Sequence, residues 1–172
     1  MKTLLMAAFL SLPARAAEPA SPPAVAAGRF YASAKVVNAL MTTQLRFTKL
    51  GLEYGEKSDL RGMYDNSRCY LDFDAAGKEL AVAAAALPAK PSADSASKAL
   101  LALADGELAQ AAKTEAAIVA LVQGARAKIL ENEKAIPFDK KGGLPSAWML
   151  LDMLKPRPVP IAQARAAAAG KR

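Results

Sequence analysis

Histidine is absent from this chain, and with it go the commonest general base and the commonest transition-metal ligand. Histidine-dependent catalytic triads and the usual zinc, haem and di-iron sites are excluded on that ground alone. Cysteine occurs once, as Cys69, so no internal disulfide can form and the thiol reads as a small buried hydrophobe. Asn38, Asn66 and Asn132 all lack the Ser or Thr two places on that would make a glycosylation acceptor, which fits a bacterial secretory protein. No phosphate-cradling glycine loop or dinucleotide fingerprint is present, since the run GLEYGEK has neither the spacing nor the context. No apolar stretch reaches the ~20 residues that would span a bilayer. Nor does any segment alternate polar and apolar residues over the length of a strand.

What is present begins with an address. Residues 1–16, MKTLLMAAFLSLPARA, carry Lys2, a short apolar stretch from Leu4 to Leu12, and the small-x-small sequence Ala14-Arg15-Ala16. This pattern predicts a cleaved export signal, with the mature chain starting at Ala17 in the periplasm or outside the cell. Losing Lys2 and Arg15 lowers the formal charge from +7 to +5. Nucleic acid is not an expected partner, because export removes the chain from it.

Residues 17–28 hold Pro19, Pro22, Pro23 and many alanines, and read as a flexible leader. The helical domain is expected over 29–155. A first long helix, expected to be buried on most of its circumference and to end near Gly55, follows from the polar line Lys35, Asn38, Thr42, Arg46, Lys49, Glu53 and Glu56, which leaves the other faces apolar. A second, capped by Ser58, carries Met63, Tyr70, Phe73, Gly77, Leu80, Ala84 and Leu87 at helical spacing until Pro88. The third, capped by Ser92 or Ser95, places Leu101, Leu108, Glu115, Val122 and Ile129 at one heptad position and Ala104, Ala111, Ile118 and Ala125 at the other. Its small residues suggest close antiparallel packing, and Gly106 and Gly124 mark places where it can bend or break. A short helix over residues 147–154 and a Pro/Ala-rich basic tail over 156–172, extended at first with room for helix near its end, complete the chain. The fold class is therefore all-α, an antiparallel helical bundle of three long helices plus one short C-terminal helix, with flexible termini. Heptad spacing is equally compatible with a third helix folded back on the first two and with a homodimer paired across a two-fold axis.

Two segments stand out as contact surfaces. The ladder Arg61, Asp65, Arg68, Asp72 alternates in sign at helical steps, which ordinarily makes a solvated, self-paired face. Tyr64, Tyr70 and Phe73 lie in the same segment, however, and arginine beside aromatics is typical of recognition surfaces. Trp148, with Leu150, Leu151 and Leu154, makes an apolar helix face that either closes the core or docks a partner. The candidate partner-binding residues are thus Arg61, Tyr64, Asp65, Arg68, Asp72, Phe73 and Trp148. Met41, Met63, Met149 and Met153 with Cys69 would be soft copper ligands only if they met, and gap-filling is the commoner use of methionine. Asp72 and Asp74 in the sequence DFD sit on different sides of a helix, so a cation site is not expected. The basic tail residues Lys155, Arg157, Arg165, Lys171 and Arg172 have no acidic neighbour after Asp152.

No catalytic residue, cofactor or metal is expected from this inventory. The expected function is that of a non-enzymatic exported protein that binds a protein or another envelope component, as adaptor, chaperone-like factor or inhibitor. A carrier holding a small apolar ligand near Tyr70, Phe73 and Met41 is the alternative, and a histidine-free enzyme is the third reading.

Overall fold

The computed structural model describes residues 21–68, 71–90 and 93–171. The segment expected to be an export signal, Cys69, Tyr70, Ser92 and Arg172 lie outside the described residues. Among the described residues the chain is all-helical: α1 (Pro22–Glu56), α2 (Leu60–Ser67), α3 (Phe73–Ala85), α4 (Ser95–Lys134), a 3-10 turn η1 (Phe138–Lys141), α5 (Ala147–Met153) and α6 (Ile161–Ala169). No helix among them is long and apolar enough to cross a membrane.

The two long helices, α1 and α4, lie side by side and run in the same direction. At their starts the Ser21 hydroxyl donates to Asp94 Oδ2 at 2.6 Å; midway, Asn38 Nδ2 donates to Glu107 Oε2 at 2.6 Å. At their ends Lys128 meets Glu56 at 2.6 Å, and Asn132 Nδ2 donates to the Glu56 carbonyl at 2.9 Å. The expectation of antiparallel packing by α4 is corrected here, because heptad spacing marks which face is buried and says nothing of direction. Parallel helices bring two positive dipole ends together, and one carboxylate offsets both. Asp94 caps α4 by accepting from the Ala96 N–H, while Ser21, its partner, accepts from Ala24 and caps α1. The Ser21 hydroxyl, with help from the Ala96 and Ser97 N–H groups, holds the Asp94 carboxyl below the usual carboxylate range.

The chain returns antiparallel to these helices in two broken columns. In the first, Asp59 rather than Ser58 caps α2, accepting from the Gly62 N–H, and Ser58 takes a left-handed φ of 62°. The helix expected to run on to Leu87 stops after Ser67 and restarts at Phe73, where Asp72 accepts from the Ala75 N–H at 2.8 Å. Arg29 near the start of α1 then meets Glu79 in α3. In the second column α5 is followed by the proline segment and α6. That segment and α6 are the stretch expected as a tail, and they are bound at every turn. Arg157 pairs with Asp74 at 2.7 Å, Arg165 with Asp105 at 2.8 Å, and Lys171 donates to the Ala89 carbonyl. Ile161, Ala164 and Ala168 are buried. The leader expected to reach Gly28 is likewise helical from Pro22, with Ala24, Ala27 and Phe30 buried; proline at the first helical position starts a helix rather than preventing one.

Burial on α1 follows a single stripe, so the expectation of a helix covered on most of its circumference is corrected: Val36 is 51% exposed and Leu50 45%. The core divides in two. One cluster joins Phe30, Val37, Met41, Phe73, Leu80, Leu101, Leu108 and Ile161. The other joins Leu52, Met63, Ile118, Val122, Ile129, Leu150, Leu151 and Leu154. Between them runs a belt of buried polar side chains, Gln44, Thr48 and Thr114. Gln44 Nε2 and Thr48 Oγ1 both donate to the Leu154 carbonyl, at 2.9 and 2.7 Å, and satisfy an end of α5 that no helical N–H reaches. Glu115 falls next to this belt at a heptad position otherwise apolar, and burial pushes its carboxyl above the ordinary value.

Helix α4 is continuous through Gly106 and Gly124, so neither glycine breaks it. Nothing lies within 4 Å of where a Cβ would sit at either position. Gly106→Ala and Gly124→Ala are each expected to stabilise the fold by about 1 kcal/mol, the helix-propensity difference. Urea unfolding midpoints check this, and an unchanged midpoint would mean that α4 is strained there.

Candidate functional site

Both helix breaks fall at the level of the polar belt, and the gap they leave is a cleft of about 700 Å³. One wall is the α2–α3 joint, with Arg68, Asp72 and Phe73; the other is the end of α5 and the following proline segment, with Asp152, Met153 and Arg157. Gln44 of α1, itself buried, also lines it. Two segments that the sequence separates by some eighty residues thus face each other across one opening.

Each candidate residue can now be placed. Arg61 pairs with Asp65 at 3.2 Å, the first rung of the expected ladder. The ladder does not continue as one helix face, because the helix ends between Arg68 and Asp72 and Asp72 turns to cap α3. Tyr64 instead lies between two guanidinium groups, Arg61 at 5.9 Å and Arg68 at 5.2 Å from its ring centre. Phe73 is 3% exposed and belongs to the core while forming part of the cleft wall.

Trp148 departs from the core-closing role. The buried face of α5 is Ala147, Leu150, Leu151 and Leu154, the i, i+3, i+4, i+7 set. Trp148 stands one position off that set and is 56% exposed, with Met149 and Met153 also outside. It shares its outward side with Asp152, one turn on, which lines the cleft.

The methionines do not gather as ligands: Met41 and Met63 are buried in different clusters, and Met149 and Met153 are at the surface. The acids of the DFD sequence are separately engaged, Asp72 as a helix cap and Asp74 with Arg157. Of the residues named for a bound apolar ligand, Met41 is fully enclosed, Phe73 touches the cleft, and Tyr70 lies outside the described residues.

Sequence reasoning missed Gln44 and Arg157 as members of the site. Gln44 carried a signal, being a polar residue on the apolar stripe of α1 in step with Val37, Met41 and Thr48. Arg157 carried none, because its acidic partner is 83 residues away. No protein-family model, curated protein or solved structure matches this chain.

Proposed function

We propose that this chain is an exported, non-enzymatic helical protein that binds another protein of the cell envelope through the cleft and the outer face of α5. The observation that carries the reading is convergence: the Arg61–Phe73 segment and the Trp148 helix were singled out independently and border the same opening. The chemistry around it suits protein recognition. Arginine, aromatic residues and methionine are the enriched types at protein interfaces, and Arg68, Arg157, Tyr64, Trp148 and Met153 supply them. The carboxylates lining the cleft have structural roles, Asp72 as the cap of α3 and Asp152 as the partner of Lys155. A binding role also accords with a composition that has no histidine to offer as base or ligand.

The test is in-cell crosslinking from a photoreactive residue placed at Met153, followed by mass spectrometry of what is captured. One protein in stoichiometric yield is expected, with capture reduced about tenfold or more by Arg68→Glu, the loss typical of an interface hot spot. Circular dichroism of the variant checks that it remains helical. Capture indifferent to Arg68→Glu would remove the cleft from the interface. If no protein is captured and the denatured protein releases a small apolar compound, the carrier reading takes its place.

A further inference from the structure

The turn that joins α4 to α5 holds the most exposed large apolar side chain among the described residues: Phe138 is 92% exposed, against 59% for the next, Val25. Its neighbours make that placement informative. Ile136 before it and Leu144 after it are both packed against the second core cluster, so the chain has apolar residues turned inward on either side of Phe138. Gly142 and Gly143 follow with left-handed φ values of 52° and 72°, a reversal that side-chain-bearing residues resist. The turn thus directs Leu144 back to the core and leaves Phe138 pointing away from it.

The charges around Phe138 differ in kind from those at the cleft. Lys140 and Lys141 share its 3-10 turn and form no ion pair with any described residue, while Asp139, which precedes them, leaves the turn one positive charge in excess. Lysine is depleted at protein interfaces, where arginine is favoured, but a lysine pair beside an exposed aromatic matches an anionic lipid surface, with ring among acyl chains and ammonium groups among headgroups. Trp148 and Met149, in the first turn of α5 directly after this loop, are 56% and 43% exposed. Tryptophan is the residue most at home at the boundary between lipid and water.

We propose that the Phe138–Lys141 turn is a lipid-docking tip by which this protein rests on an anionic bilayer surface, with Phe138 inserted and Lys140 and Lys141 at the headgroups. The turn lines none of the cleft, although Trp148 on the outer face of α5 lies beside it, and its attachment to lipid does not depend on a protein partner. A single aromatic and two lysines give weak, reversible attachment, suited to holding the body near a membrane rather than fixing it there.

The test uses the chain from Ala17 onward, which contains every core residue described, co-sedimented with phosphatidylglycerol vesicles and with phosphatidylcholine vesicles. The expected result is binding to the first only, with a blue shift of Trp148 emission, and loss of binding as salt is raised to about 1 M, where screening shortens to about 3 Å. Phe138→Ser is expected to reduce vesicle binding about tenfold or more, since the ring is the inserted apolar group. Lys140→Glu with Lys141→Glu is expected to abolish the preference for anionic lipid. Phe138 and Lys140 are exposed and Lys141 is half-buried, so unchanged helicity and melting temperature verify folding. Equal binding to both vesicle types, no binding to either, or full binding by Phe138→Ser would overturn the proposal. So would a Phe138→Ser variant that keeps vesicle binding and loses the crosslinked protein partner, because the ring would then belong to a protein interface.

Discussion

Leu154→Ala is expected to cost about 2–5 kcal/mol of folding free energy, the range for emptying a fully buried leucine site. Leu154 is fully buried at the end of α5, and its side chain lies over Gly51 so closely that a Cβ on Gly51 would sit 2.6 Å from Leu154 Cδ2. Gly51→Ala alone is therefore expected to cost about 1–3 kcal/mol by overpacking. The double variant is the decisive measurement. The alanine methyl at 51 enters space that the missing leucine vacates, so the double change should cost less than the sum by about 1 kcal/mol or more. Urea unfolding with an unchanged m-value reads all three. Strict additivity would mean that α5 does not rest on Gly51. Gly55, one turn on, stands 3.0 Å from Ile129 and Met63 by the same construction, so α1 presents a two-glycine flat to the helices packed around it.

Phe30→Ala is expected to cost about 3–5 kcal/mol, and to lower the melting temperature by about 2–4 °C for each of them. Phe30 is fully buried in the first core cluster, with contributions from α3, α4 and α6 around it. Total stabilities of ordinary domains are about 5–15 kcal/mol, so this one truncation approaches the margin. Phe138→Ala is the matched control, with the same chemistry at a side chain that is 92% exposed and an expected change within about 0.5 kcal/mol. A small effect at Phe30 would mean that the first turns of α1 are not packed on the core.

Helical class and most buried positions were legible because they rest on period alone. Leu101, Leu108, Val122 and Ile129 are buried at one heptad position, as are Ala104, Ala111 and Ile118 at the other. Glu115 interrupts the first series, and the structure answers with the polar belt at that level. The start of α5 at Ala147 and the stop of α4 before Pro137 were likewise readable from cap and breaker residues. Three features were not. Alanine-rich runs at both ends carry little contrast between faces, so residues 22–28 resemble flexible chain, and after Pro160 helix is readable but its packing is not, although Ile161, Ala164 and Ala168 stand at helical steps. The break between α2 and α3 involves neither glycine nor proline, and only Asp72 as a cap signals it. Finally, the cleft arises from where two columns break relative to each other, which is a property of tertiary register. Tyr64 and Trp148 stand out by residue type alone; the opening between Arg68 and Met153 does not.

Parallel pairing of α1 with α4 has a kinetic consequence. Every hydrogen bond that joins their registers spans about the same length of chain: 73 residues for Ser21 to Asp94, 69 for Asn38 to Glu107, 72 for Lys128 to Glu56. An up-and-down bundle zips outward from short hairpin turns, whereas here no contact between the two longest helices is local. Folding rates fall as contacts become more distant in sequence, since loop closure must precede the contacts that compensate for it. The chain thus combines helical secondary structure, which forms quickly on its own, with a connectivity more typical of slow-folding sheets. Until α4 is available, the buried stripe of α1 can be covered only in part by α2 and α3, and the first half of the molecule waits for the second.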